Sequence, residues 1–136
     1  MSNADFKRNF AKLLDAVGDK AELTAARVSE DLIGAIVYKT PVDVGGLVAN
    51  WNLSFGAADL TNTHSSNSDP MERARSNLAN FKLGDHVFIV NNMPYAKRIE
   101  FDGWSKEKSP QGMVRITVLE FSKIVKRNAA KAKNGG

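Results

Sequence analysis

The segment Pro94-Tyr95-Ala96-Lys97-Arg98-Ile99-Glu100-Phe101 sets a phenol, two cations and a carboxylate beside a proline turn. Two kinds of chemistry are open to such a set. A tyrosine next to Lys97 and Arg98 can hold a phosphate, and mixed charge on a surface can fix register and partner choice when another protein docks. For Tyr95 alone the simpler reading is a ring packed at the edge of an element with its hydroxyl wet. Trp104 follows Gly103 in a loop and suits an exposed anchor, whereas Trp51 sits in an alternating apolar run and reads as core.

Nothing else in the chain assembles a reaction centre. Hydrolytic or metal chemistry needs converging ligands, or a nucleophile with its base. His64 falls in a polar loop and His86 at the start of a strand, without the spacing of a ligand pair. Asp43 reads as a turn former and Asp69 as a helix cap; Asp85, Glu100 and Asp102 are scattered. Gly45-Gly46 lacks the Lys-Ser/Thr of a phosphate loop. Cysteine is absent, which removes thiolate ligands, disulfides and cysteine nucleophiles. The expectation is therefore no catalytic residue, no metal and no cofactor.

A chain of 136 residues gives one domain, 43% hydrophobic and 25% charged. No apolar run approaches the length of a membrane span, and MSNADFKRNF lacks an apolar signal core, so the expectation is a protein made and kept in the cytosol. The net charge of +4 comes from 19 Lys and Arg against 15 Asp and Glu, unevenly placed. After Glu120 there is no acid, while Lys123, Lys126, Arg127, Lys131 and Lys133 follow. Such a run can face DNA, an acidic protein or only water, and cations suit a helix C-terminus in any case.

The elements that position these residues follow from period. Phe6, Phe10, Leu13, Val17, Ala21, Ala25, Val28, Leu32 and Ala35 form one stripe at helical spacing, which predicts a long helix, bent at Gly18, ending before Thr40-Pro41. Pro41, Asp43 and Gly45-Gly46 predict a turn in which the glycines supply positive φ. Leu47, Ala49, Trp51, Leu53 and Phe55 alternate, a half-buried strand. Residues 57–69 are polar and aperiodic, which predicts a mobile loop. Asp69-Pro70 then caps a short helix to about Asn80. His86 to Val90 reads as a second strand and Ala96 to Phe101 as a short third element. Ser109-Pro110 opens a last helix carrying Val114, Val118, Phe121 and Val125. Its apolar stripe fades after Val125, so residues 129–136 read as a flexible basic tail that could be cut after Asn128 with little effect on folding. The fold class is α+β: a long N-terminal helix, a small antiparallel sheet and a C-terminal helix packed on the sheet.

Three segments in order, TPVDVGGLVANW (Thr40 to Trp51), VNNMPYAKRIEF (Val90 to Phe101) and SPQGMVRITVLEFSKIV (Ser109 to Val125), resemble the small neck and tail-completion proteins of tailed bacteriophages. These are the tail components of lambdoid siphophages and their relatives. That family carries a Thr-Pro-Val-Asp-Thr-Gly-x-Leu turn after a long helix, matched here at Thr40, Pro41, Asp43 and Gly45. Its Pro-Tyr-Ala-x-x-x-Glu segment is matched at Pro94, Tyr95, Ala96 and Glu100. Its Pro-x-Gly-Met-Val-Arg helix start is matched at Pro110, Gly112, Met113, Val114 and Arg115. Val44 replaces the family's second threonine, and Asp102 stands before Gly103 where glycine follows the aromatic directly. The resemblance covers most of residues 1–128. It implies a virion structural protein without catalysis that forms a six- or twelve-fold ring of identical subunits at the junction of head and tail. Its partners would be other neck and tail-tube proteins, with non-specific contact to packaged DNA and none to a membrane. Tyr95, Lys97, Arg98, Glu100 and Trp104 would lie at the subunit interface, and the basic run from Lys123 to Lys133 would face the DNA channel or an acidic neighbour. A small basic nucleic-acid-binding module is the alternative.

Overall fold

The structure, a computed structural model, describes residues 8, 12, 15, 18–42, 46–101, 113, 114, 117 and 120–134, the Arg98 side chain excepted. Phe6, Phe10, Leu13 and Val17, the first half of the expected stripe, lie outside that set. Gly18 decides where the first described helix begins. Its φ of +61° is left-handed, a geometry an α-helix cannot carry through. A turn of 3-10 helix, Gly18–Lys20, follows, and helix α1 runs Ala21–Lys39. The expected bend at Gly18 is thus a break. Beyond it the stripe holds as far as Val28, with Ala21, Ala25 and Val28 buried, and then shifts by one residue: Ile33 and Ile36 are buried, while the expected Leu32 and Ala35 are only half-buried.

Thr40 ends α1 with extended backbone, as its place before proline requires. Asp43 and Gly45 of the expected turn lie outside the described residues. Gly46 does not take a positive φ. Glycine is needed there for closeness, since a Cβ would come within 3.1 Å of Asn50 Nδ2. That amide donates to the Gly46 carbonyl at 2.7 Å and winds Val48–Asn50 into a 3-10 turn, so strand β1 covers Trp51–Phe55 and does not start at Leu47.

Strand β1 pairs antiparallel with β2, Val87–Asn91, placing Trp51 opposite Asn91 and Phe55 opposite Val87. Gly56 N donates to His86 O at 3.0 Å, which fixes the phase of the ladder. Ser54 with Phe88 and Asn52 with Val90 are then the bonded pairs, because bonded pairs recur every second residue. The Trp51 and Leu53 carbonyls point the other way, towards helix α2, Pro70–Leu78. There Arg73 donates to Ala49 O at 2.6 Å and Trp51 O at 3.0 Å, and Asn77 donates to Leu53 O at 2.8 Å. The outer edge of β1 is closed by side chains. That of β2 is open: the backbone groups of Val87 and Ile89 that face away from β1 meet no partner among the described residues.

Helix α2 starts as its sequence demands, with Pro70 at the first position and Asp69 Oδ1 accepting from Met71 N at 2.9 Å. Ile33, Leu47, Trp51, Leu53, Leu78, Phe81, Ile99 and Met113 share one core, in which Phe55 and Phe81 meet edge to face at 5.8 Å. Helix α3 is Ala96–Phe101. The expected start of the last helix at Ser109-Pro110 lies outside the described residues, but Val114 and Thr117 are helical and α4 spans Phe121–Lys133.

The chain is α+β, a long N-terminal helix with a two-stranded antiparallel sheet and a C-terminal helix. At its beginning the C-terminal segment reaches the core shared with the sheet, through Met113 and Val114. Further on, α4 runs antiparallel to α1, with Ile124 and Val125 on Val28 and then Ala129 and Ala132 on Ala21. Lys20 Nζ donates to Ala132 O at 2.9 Å and satisfies one of the carbonyls that any helix end leaves open. Residues 129–133 are therefore helix and not a flexible tail. The apolar stripe persists past Val125 in alanines, residues too small to announce themselves in a hydropathy pattern. Removing residues 129–136 should cost about 1–3 kcal/mol, read as a lower urea midpoint, because two buried alanines and the Lys20 contact go with them. An unchanged midpoint would restore the flexible tail.

Candidate functional site

Three of the segments that stand out in the sequence converge at one end of the molecule. Trp51 Nε1 donates to Thr40 Oγ1 at 2.9 Å, and that hydroxyl donates to Ile36 O at 2.7 Å; Thr40 is fully buried. The neighbouring Lys39 Nζ reaches Thr117 Oγ1 at 3.1 Å and Glu120 Oε2 at 3.2 Å. The Thr117 hydroxyl donates to Met113 O at 2.8 Å. Met113 N and Val114 N then donate to Glu100 Oε2, at 2.5 and 2.9 Å. A line of polar contacts thus ties the end of α1 to the start of the C-terminal segment and on to α3.

This line corrects the expectation for Glu100. The single turn and a half of α3 sends Ala96, Ile99 and Glu100 inward and leaves Lys97 and Phe101 outside. Glu100 is only 8% exposed, and its carboxylate caps the backbone amides at the start of the last helical segment. Four residues after Ala96 and next to Ile99, it shares the buried side of the helix with them. Tyr95 is half-buried against the core, and Lys97 projects into solvent. Arg98 belongs to α3, though its side chain lies outside the described set, as does Trp104. Of the expected interface, Lys97 is a surface charge, Tyr95 is a partly buried ring and Glu100 is internal. Exposed apolar side chains include Tyr38 and Val42 beside the α1 terminus and Phe101 at the end of α3.

A second feature escaped the sequence. The loop between β1 and α2 has no regular structure, as expected, but it is fastened by asparagines. Asn50, 1% exposed, accepts from His64 N at 2.9 Å and donates to His64 O at 3.2 Å, as a strand partner would. Asn52 donates to Thr61 O at 2.7 Å and Asp59 O at 3.3 Å. Asn62 donates to Asn92 O, and Asn92 to Leu60 O, both at 3.1 Å. Side-chain amides replace the missing ladder, which composition alone cannot reveal.

Under this loop lies an open cleft of about 360 Å³ whose polar lining includes Asn52, Asp59, His64, Glu72, Arg73 and Ser76. Asn52, Asp59 and Arg73 already have structural work. Asp59 accepts from Thr61 N at 3.0 Å, and Thr61 holds its carboxyl below the usual range. Arg73 also donates to Ser68 Oγ, and its burial lowers the guanidinium pKa against the pull of Asp59 and Asp69. No hydrogen bond joins His64 to Ser76, Glu72 or Asp59, so no relay from acid to base to nucleophile is set up here. Among the described residues no group of three His, Asp or Glu could hold a metal ion. None of the helices described is long and apolar enough to cross a membrane.

Lys123, Lys126, Arg127, Lys131 and Lys133 all lie on the exposed side of α4. Arg127 is paired with Asp31 at 3.1 Å, and Asn128 takes the same oxygen at 2.8 Å. The other four cations meet no acid among the described residues. Comparison with known proteins adds no relative: no family, no curated protein and no solved structure matches this chain.

Two outcomes follow. Glu100→Lys should cost about 3–5 kcal/mol in a denaturant melt, since it buries an unpaired cation and strips two amides of their acceptor. A near-native midpoint would return Glu100 to the surface. Asn50→Asp should cost about 2–4 kcal/mol at neutral pH, because a carboxylate would oppose the Gly46 and His64 carbonyls. The penalty should shrink as pH falls and the new acid protonates, because a protonated carboxyl can donate to one of the two carbonyls that Nδ2 served.

Proposed function

We propose that this chain is a structural subunit of a ring at the junction of head and tail in a tailed bacteriophage, acting through protein contacts and not through catalysis. The observation that carries the reading is the convergence of the three segments that resemble the phage neck and tail-completion family. Thr40 of the first secures the end of α1, Glu100 of the second takes the amides of Met113 and Val114 of the third. The carboxylate of Glu100 is consumed in holding the frame, which suits a scaffold presented to neighbours.

A closed ring needs two different patches per subunit, each meeting the other on the next copy. Tyr38 and Val42 around the end of α1, and Lys97 with Phe101 on α3, support such patches, since they combine exposed apolar side chains with a rim charge. Val42 is 82% exposed. Copy number, six or twelve, belongs to the same proposal. The second reading, a small basic nucleic-acid-binding module, rests on the four unpaired lysines of α4.

The ring is tested by the mass of the purified protein under native conditions and by its position in isolated particles. A closed oligomer and a place between head and tail are expected; a strictly monomeric protein absent from particles would sink the proposal. The double variant Val42→Ser with Lys97→Glu should keep the melting midpoint within about 0.5 kcal/mol of native while lowering the assembled fraction at least tenfold. An assembled fraction equal to the native one would remove Val42 and Lys97 from the interface.

A further inference from the structure

We infer that the outer face of α4 is a contact surface for the phosphate backbone of double-stranded DNA, used without regard to base sequence. The inference rests on the head–tail reading for where the polyanion is met, and on the geometry of α4 for how it is held.

The face is defined by what is buried behind it. Ile124, Val125, Asn128, Ala129 and Ala132 are committed to α1, so Lys123, Lys126, Lys131 and Lys133 must point outward. They span about 15 Å along the axis, ten residues at the helical rise. Duplex DNA carries one charge per roughly 1.7 Å of its axis, so these lysines, fanned around the outer half of the helix, can meet several phosphates at once. Helix α4 carries no acidic residue. Two acids beside it are engaged elsewhere, Glu120 with Lys39 and Asp31 with Arg127 and Asn128, and Asp19 lies next to Lys20 near its C-terminal end. The field over this face is positive and is set by four cations, not five, because Asp31 offsets Arg127.

The remaining residues on the face argue for phosphate over an acidic protein. Ser122 and Ala130 are small, and the exposed side of α4 bears no aromatic or large apolar side chain that could anchor a protein partner. It also lacks the bidentate asparagine, glutamine or free arginine that reads base edges. Lysine is a compact point charge on a flexible stem, which follows a phosphate as it moves past and does not lock on to it. A surface of this kind attracts DNA while letting it slide.

The test uses the intact protein and a short fluorescent duplex of arbitrary sequence, followed by anisotropy as salt is varied. With four phosphate contacts, log K against log salt should fall with a slope of about −3 to −4, so affinity drops roughly a hundredfold between 50 and 200 mM salt. Replacing Lys123, Lys126, Lys131 and Lys133 together by Gln should abolish binding, while the four Lys→Arg changes should keep it, with thermal melts verifying the fold of both. Asp31→Asn, which releases Arg127, should tighten binding several-fold. Removing charge elsewhere, at Lys82 and Lys97, should change affinity less than threefold. An equal loss from the Lys82 and Lys97 pair, or no binding at 50 mM salt, would overturn the inference. So would capture of polyglutamate in preference to DNA, which would make the partner an acidic protein. These readouts need no particle, so they can fail while ring formation stands, and ring formation can fail while they stand.

Discussion

The hydroxyl of Thr40 holds the architecture at its pivot. It donates to Ile36 O, which ends α1 without leaving a buried carbonyl unpaired, and it accepts from Trp51 Nε1, which fixes where the first strand begins. A buried indole N–H and a buried carbonyl would each cost of order 1–3 kcal/mol if left alone, and one oxygen serves both. Because Thr40 is pinned, Lys39 must point towards the C-terminal segment, where it meets Thr117 and Glu120. The Glu100 contact to Met113 and Val114 closes the circuit from the other side. Helix, strand and C-terminal segment are thus set relative to one another by polar contacts at the margin of an apolar core, where direction is specified better than packing alone can manage.

Much of this was legible in advance, for reasons that can be stated residue by residue. Asp69-Pro70 announces a helix because proline fits only its first turn and aspartate caps it. Thr40-Pro41 announces an end because proline excludes helical angles before it. The apolar period of α1 places Ala21, Ala25 and Val28 in the interior, and the two strands lie within the stretches expected of them, the first shortened to Trp51–Phe55.

What was not legible depends on side chains acting against type. Glu100 is charged and sits among cations, so it reads as surface until the helical phase of α3 is counted. Asn50 and Asn52 carry no periodic signal, yet they replace backbone in fastening the loop. Arg73 reads as solvent-exposed and instead seals a strand edge. Ala129 and Ala132 bury as completely as leucines do but weigh little in any hydropathy average. For Asn50, Arg73 and the two alanines the deciding quantity is a geometric relation to a residue far away in the chain, which a local window does not contain.

The unequal edges of the sheet bear on what happens when the protein is crowded. Fibrils grow because every added strand exposes a fresh edge like the one it covered. Here the β1 edge is plugged by Arg73 and Asn77, while the β2 edge, Val87 to Asn91, is uncharged and free of proline. Two molecules joined back to back through β2 would present only plugged edges outward. The arginine on α2 therefore acts as a chain terminator: it limits accidental polymerisation to a single step, at no cost in charge on the strand that would otherwise need a lysine to defend it.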